Sequence, residues 1–288
     1  MIVNRFCLAD YSLILKIDFY ISIFLITFDF TLFMIITDTH CHLYSEEFAG
    51  DIDDVLQRAE AEGVQKFYLP GIDSTAIDSM MSLEQRFPGK CFAMMGLHPC
   101  SVKENYKEEL EIVEQWLAKR SFAAVGEIGL DYYWDKTYIT EQAKAFSTQI
   151  EWSIQYGLPI SIHTRNAMAE TIQIVKRYVS KGVRGIFHCF SGSYEQAVEI
   201  INAGFYLGIG GVLTYKNAGL AEILKKIELK HLVLETDAPY LTPAPFRGKR
   251  NESSYLKYIL AKLAEVKACS LQEIAAVTTA NAENIFFL

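Results

Sequence analysis

Met34-Ile35-Ile36-Thr37-Asp38-Thr39-His40-Cys41-His42 is the stretch on which the reading of this chain turns. Its first half is a short apolar run. Its second half is a polar tail with two histidines two residues apart. A run that is apolar throughout, not alternating, is what a strand covered on both faces requires. The unit recurs. Beyond Ile35–Asp38, strand candidates follow at Lys66–Pro70, Phe92–Leu97, Ala123–Ile128, Pro159–His163, Gly185–Phe190, Tyr206–Ile209 and Leu232–Thr236. Helical stretches lie between them: Ile139, Ala143, Phe146, Ile150 and Ile154 recur at helical spacing, and so do Ile172, Val175 and Val179. Gly63, Gly157, Gly182 and Gly204 stand where those helices should stop. Eight strand–helix units in about 255 residues predict a single-domain α/β fold, a TIM-type (β/α)8 barrel over residues 34–288. A doubly wound sheet is the competitor. Its glycine-rich nucleotide loop is missing, since Gly208-Ile209-Gly210-Gly211 neither follows the first strand nor has the third glycine at the needed spacing.

Working outward, residues 1–33 differ from the rest. They are rich in Phe, Ile, Leu and Tyr, but Asp18 and Asp29 bound an apolar stretch too short for a membrane span. No small-residue cleavage site follows it. Three readings are open for this N-terminal extension: an over-long reading frame upstream of a natural start at Met34, a membrane-associated anchor, or an extra packed element. The first is preferred, because the first strand is already complete from Met34. The whole chain of 288 residues is 51% hydrophobic and 22% charged, the composition of a globular protein with a large core. Its formal net charge of −8 argues against wrapping a duplex on a basic face but leaves room for a locally positive site. The cysteines Cys7, Cys41, Cys91, Cys100, Cys189 and Cys269 are dispersed, which predicts free thiols in a reducing, cytoplasmic compartment.

The chemistry collects at the strand ends, which in a barrel converge on one mouth. Of the 6 histidines, His40 and His42 end the first strand, His98 the third, His163 the fifth and His188 the sixth. Glu127 ends the fourth strand and Asp237 the eighth. His40 and His42 point the same way on an extended chain and can share one ion, with Asp237 completing that site. His163 and His188 can hold a second ion, and Glu127 has an oxygen for each. Two divalent cations about 3.5–4 Å apart would activate water and polarise an electrophile. Taken singly each residue has a plain structural role. What points to a metal site is the coincidence of six ligand-type residues at five strand ends.

The motifs Asp38-Thr39-His40-Cys41-His42-Leu43, Gly96-Leu97-His98-Pro99, Gly126-Glu127-Ile128-Gly129-Leu130-Asp131-Tyr132-Tyr133, His188-Cys189-Phe190-Ser191-Gly192 and Glu235-Thr236-Asp237-Ala238-Pro239-Tyr240-Leu241 resemble those of the TatD-type metal-dependent deoxyribonucleases, within the amidohydrolase superfamily. Pro245-Phe246-Arg247-Gly248-Lys249-Arg250-Asn251-Glu252 is similar to that family's R-G-K-x-N-E stretch. The likeness runs from Met34 to the C-terminus. It implies a TIM-type barrel, His40, His42 and Asp237 on one metal, His163 and His188 on the other, and Glu127 between them. It also implies hydrolysis of phosphodiesters, notably 3′-to-5′ exonuclease action on DNA, with Mg²⁺ the usual activator and Zn²⁺ or Mn²⁺ as alternatives. Two departures stand out: residues 1–33 have no counterpart, and Ser253 replaces the usual proline, a change expected to alter only the entry to the last helices.

Arg165, two residues past His163, should face the same cavity, and Arg247, Lys249 and Arg250 follow the last strand; guanidinium pairs well with phosphate oxygens. His98 is a candidate phosphate contact or third-metal ligand. Tyr132, Tyr133 and Trp134 are candidates to stack on bases of a single strand, and Ser191 and Gly192 offer further donors. Glu127 and Asp237 are the expected catalytic acids. The expected partner is DNA, as single strands or 3′ ends, with no stable protein partner and no membrane implied. A competing enzyme class is hydrolysis of an amide, ester or lactone in a small molecule, since a barrel does not decide chemistry. Many such enzymes bridge their metals with a carboxylated lysine on the fourth strand; Glu127 stands there instead, and Lys136 is too far along. A non-catalytic, metal-stabilised scaffold is the third reading.

Overall fold

A computed structural model describes residues 34–286. The three readings of residues 1–33 fall outside the described residues. Strands β1 (Ile36–Asp38), β2 (Val64–Pro70), β3 (Cys91–Met94), β4 (Val125–Asp131), β5 (Ile160–Arg165), β6 (Gly185–Phe187), β7 (Tyr206–Ile209) and β8 (Leu232–Leu234) alternate with helices. These are α1 (Ile52–Ala61), α2 (Ile77–Arg86), α3 (Tyr106–Lys119), α4 (Ile139–Tyr156), α5 (Met168–Lys176), α6 (Tyr194–Asn202) and the short α7 (Leu220–Leu224), with α8 (Leu256–Lys267) and α9 (Leu271–Phe286) following the last strand. Every pairing is parallel, because each strand is followed by a crossover rather than a hairpin.

The ladders run β1-β2-β3 and β4-β5-β6-β7-β8. Backbone bonds span both seams. Gly126 N donates to Met95 O at 3.0 Å between β3 and β4, and Thr39 N donates to Leu234 O at 3.0 Å between β8 and β1. The strand order therefore runs round as in a (β/α)8 barrel. All residues of β4 are buried, as a strand between helices and the barrel interior must be.

The helix stripes explain the packing. In α4, Phe146 and Ile150 are buried, and the helix stops at Gly157, whose φ of 67° is a left-handed value that glycine adopts without a side-chain clash. In α5, Ile172 and Val175 are buried, but Val179 is not in the helix. It begins a separate 3-10 turn and is 37% exposed, because α5 ends at Lys176. Ala282 and Ile285 of α9 pack on Ile186 and Val233. Phe286 stacks on Tyr68 with ring centroids 3.8 Å apart.

Three strands end earlier than their apolar runs suggest. β3 stops at Met94, β6 at Phe187 and β8 at Leu234. Their polar tails leave the ladder and bend over the mouth. Cys189 (φ 49°) and Asp237 (φ 56°) take left-handed conformations there, at roughly 1–2 kcal/mol each for a residue with a side chain.

Candidate metal centre

Glu127, 2% exposed in β4, is the hub of the mouth. Its Oε1 lies 2.8 Å from His163 Nδ1, 2.8 Å from His188 Nε2 and 3.3 Å from His98 Nε2. Its Oε2 lies 3.0 Å from His40 Nε2 and 3.5 Å from His42 Nε2. Asp237 Oδ1 approaches the same two nitrogens at 3.7 and 3.6 Å. One carboxylate thus faces five imidazoles from the ends of four strands. Side chains that are up to 197 positions apart in sequence meet because parallel strands bring all their carboxyl ends to one side.

Three overlapping sets of donor atoms lie within 4.8 Å of one another: His40, His42 and Asp237; His40, Glu127 and His188; His98, Glu127 and His163. The six residues read as ligands are all brought together, with His98 as a seventh. His40 and His188 stack face to face, ring centroids 3.9 Å apart.

Hydrogen bonds on the far side of each ring set what the near side offers. Tyr44 Oη donates to Pro70 O, so it accepts from His42 Nδ1 at 3.0 Å. The proton of neutral His42 is therefore on Nδ1, and Nε2 turns a lone pair toward Glu127 and Asp237. A lone pair facing carboxylate oxygens is repulsive unless a cation lies between them, so this donor set fits a divalent metal. His98 is the opposite case. Its Nδ1 accepts from Cys100 N at 3.0 Å, which leaves the neutral ring with a proton on Nε2. In that tautomer His98 presents an N–H at the mouth, 3.3 Å from Glu127 Oε1, while the ring also belongs to a donor group with Glu127 and His163. His163 Nε2 faces Asp131 Oδ2 at 2.9 Å, and His188 Nδ1 faces Glu235 Oε1 at 3.5 Å, so each ring has a carboxylate behind it.

The electrostatics follow from burial and charge. Burial alone would raise the Glu127 carboxyl; the imidazoles around it, His188 and His40 foremost, hold it well below the usual carboxylate range. Burial pushes His40 well below its usual value, with the neighbouring His188 adding to the effect. Burial works the same way on His188, but Glu127 more than offsets it and holds that ring well above its usual value. Burial pushes the Asp237 carboxyl up to about 6.

Two roles were not read from the sequence. Asp131 and Glu235 sit inside quoted motifs, and their burial behind His163 and His188 is a tertiary fact. A hint for Glu235 exists in Gly208 of β7: a Cβ there would come within 2.2 Å of Glu235 Oε2. Asn251 and Glu252 of the R-G-K-x-N-E stretch serve the scaffold. Asn251 Nδ2 donates to Thr236 O and Tyr240 O at 2.9 and 2.7 Å, and Glu252 accepts from Arg58 Nε and Nη2 of α1 at 2.9 and 2.7 Å.

The residues read as substrate contacts divide. Arg165 lies at the mouth with its guanidinium 3.8 Å above the Tyr133 ring and 5.1 Å from that of Trp134. Tyr132 is half-buried, so the exposed ring beside Tyr133 belongs to Trp134. Arg247 stacks on Tyr215 at 3.8 Å. Lys249 is exposed near Phe246. Arg250 is turned away from phosphate duty by a two-pronged pair with Asp51, both bonds 2.7 Å. Ser191 is exposed on the loop after β6.

A TIM-type barrel with buried histidines and acids converging at its mouth is the class of the metal-dependent hydrolases. A model of the family described as TatD related DNase matches residues 37–287, and the chain belongs to that family. It is 40% identical over 250 residues to a Bacillus subtilis (strain 168) protein named as the uncharacterized metal-dependent hydrolase YabD, covering 86% of this chain and 98% of that one. It is 33% identical over 257 residues to the 3′-5′ ssDNA/RNA exonuclease TatD of Citrobacter rodentium (strain ICC168), covering 86% and 97%. The crystal structure of YjjV, a TatD homologue from Escherichia coli K12, superposes with a TM-score of 0.84 at 30% identity, covering 89% of this chain and 99% of that one. The chain is a metal-dependent hydrolase of the TatD family. Among the described residues no helix is long and apolar enough to cross a membrane.

Proposed function

We propose that the protein removes nucleotides from the 3′ ends of single-stranded DNA as a deoxyribonuclease with two divalent cations, Mg²⁺ foremost. The observation that carries this reading is the lone pair of His42 Nε2 aimed between two acids, beside an N–H of His98 and an exposed guanidinium of Arg165. His40, His42 and Asp237 would hold one cation, His163 and His188 the other, with Glu127 shared. When bound, such ions polarise a phosphoryl group and lower the pKa of water.

The chain's own residues do the rest. His98 Nε2–H and Arg165 bind the non-bridging oxygens of the scissile phosphate and orient it. Asp237 accepts a proton from the attacking water on a carboxylate oxygen. The phosphorus–oxygen bond to the penultimate nucleotide breaks, its 3′ oxygen takes up a proton, and a nucleoside 5′-monophosphate is released. Glu127, His163 and His188, backed by Asp131 and Glu235, hold the geometry while this happens. The relative named as a 3′-5′ exonuclease agrees in direction with this reading.

The test uses oligonucleotides labelled at the 3′ or the 5′ end, incubated with Mg²⁺, Mn²⁺ or Zn²⁺ beside a chromogenic ester. Early release of labelled mononucleotide from the 3′ end alone is expected. Ester cleavage with intact oligonucleotides under every metal would overturn the reading in favour of small-molecule hydrolysis.

A further inference from the structure

Resting on the exonuclease reading, we propose that the cleft formed by Tyr215 and Arg247 receives the 3′-terminal nucleotide that is released, while the Tyr133–Trp134 ring pair carries the strand that remains.

The cleft is built from the loops after β7 and β8. Thr214, Tyr215, Lys216, Asn217, Ala244 and Arg247 line a space of about 510 Å³, within the range of small-ligand sites. Its charged side chains are both cationic. The Arg247 guanidinium lies 3.8 Å from the centre of the Tyr215 ring. The two loops are tied together: Tyr215 Oη donates to Thr242 O at 3.1 Å, and Ala244 N donates to Thr214 Oγ1 at 2.9 Å. A flat aromatic face under a guanidinium is what a base and its phosphate need.

The second feature lies across the loop after β6. Tyr133 and Trp134 are 50% and 67% exposed, with ring centroids 4.9 Å apart. Asp131 Oδ1 accepts from their backbone N–H groups at 2.8 and 2.9 Å, and its Oδ2 faces the ligand His163. The ring pair is therefore anchored to the metal shell. The parallel order β4-β5-β6-β7-β8 sets Tyr133 and Trp134 after β4 and Arg165 at the end of β5 on one side of the β6 loop, and Tyr215 and Arg247 after β7 and β8 on the other, all at the carboxyl end of the strands.

The two features differ in one respect that sets their order. The cleft is a half-open space between two loops that are tied to each other, of a volume that suits one nucleotide. The ring pair is open to solvent, so a strand stacked on it can continue outward. An enzyme that releases one nucleotide at a time needs the bounded site on the released side.

The experiment compares Tyr215→Ala, Tyr215→Phe and Trp134→Ala with the wild-type full chain. Two readouts are taken: KM with Mg²⁺, and equilibrium binding of a fluorescent single strand in EDTA. The strands are oligothymidylates that are intact, abasic at the 3′-terminal residue, or abasic further upstream. Tyr215→Ala should weaken binding and raise KM about 5- to 150-fold on intact and upstream-abasic strands. On the strand abasic at its 3′ end the loss should shrink to within about twofold, because the base that the ring would hold is gone. Trp134→Ala should show the reverse pattern, and Tyr215→Phe, which keeps the ring and loses the bond to Thr242 O, should keep the wild-type ratios among the three strands. Equal losses for Tyr215→Ala on all three strands overturn the assignment, and so does a Tyr215→Phe protein with the strand ratios of Tyr215→Ala. Should the wild type cleave no strand under any metal, the exonuclease reading falls. The binding ratios in EDTA then decide the cleft alone: the base-specific pattern upholds it as a strand-end site, and uniform ratios remove it.

Discussion

Two buried acids, Asp38 in β1 and Glu127 in β4, show how the partners of a carboxylate reveal its task. Asp38 is fully buried and accepts from Thr236 N at 2.9 Å, Thr236 Oγ1 at 2.6 Å and Ser253 Oγ at 2.7 Å. Burial pushes its carboxyl up to about 7 while these donors pull the other way. These donors, with His40 N at 3.4 Å, are all uncharged and use up its oxygens, so it clamps β1 to the tail of β8 and to the start of the last helices. Glu127 is as deeply buried but meets imidazole nitrogens, one of which presents a lone pair. A buried charge costs several kcal/mol unless compensated. Hydroxyls and amides compensate Asp38 internally. Glu127 is compensated instead by imidazoles, whose nitrogens with its oxygens form donor groups of the kind that hold a cation. The same contrast revises the role of Ser253. Its hydroxyl completes the Asp38 donor set, so its effect goes beyond the entry to α8.

The largest expected effect tests the Glu127 side of this contrast. Glu127→Gln should lower the hydrolase rate by about 10³-fold or more, the equivalent of several kcal/mol of transition-state stabilisation. The circular-dichroism spectrum and metal-free Tm should stay close to wild type. A variant retaining a tenth of wild-type activity would show that Glu127 is a clamp like Asp38.

Chelation probes the same side without mutation. Removing divalent ions should abolish activity reversibly and lower Tm. If ions at 100 times their Kd contribute about 2.7 kcal/mol, the shift is roughly 5–10 °C for a domain of this size. An unchanged Tm together with full activity in EDTA would contradict the metal centre.

Asp131→Asn weakens the carboxylate behind His163 and should cost about 10–100-fold in metal affinity or activity. Isothermal titration with Mn²⁺ separates the two, and an affinity equal to wild type with unaltered turnover would make Asp131 only a loop anchor for Tyr133 and Trp134.

Ser253→Ala sharpens the comparison from the structural side. Loss of one donor to buried Asp38 should destabilise the fold by about 1–3 kcal/mol in urea unfolding and leave kcat within about twofold in the folded protein. A large fall in kcat at constant stability would place Asp38 in the catalytic machinery.

Much of this was legible along the chain, for physical reasons. Period and apolarity are local properties, so eight strands and their crossovers could be read from runs such as Met34–Asp38. Ligand chemistry belongs to residue type, so histidines and acids at strand ends could be nominated before any contact was known. What distant neighbours set is not written locally. Val179 continues a helical stripe in the sequence, whereas α5 stops at Lys176. Arg250 has the chemistry of a phosphate contact, whereas the fold pairs it with Asp51. Of the candidates Tyr132, Tyr133 and Trp134, only Tyr132 turns partly inward, since chain direction after β4 depends on the bonds Asp131 makes.

By itself, then, the sequence determined the order of strands and helices and the set of side chains available to bind cations. Tertiary structure decided the protonation pattern that gives them different tasks. Cys100 N takes Nδ1 of His98 and leaves its Nε2 a donor, whereas Tyr44 takes Nδ1 of His42 and leaves its Nε2 a lone pair. The imidazoles are chemically identical. What distinguishes them is the single hydrogen bond on the far side of each ring, and in His42 that bond depends on Tyr44 being held by Pro70, 26 positions further along the chain.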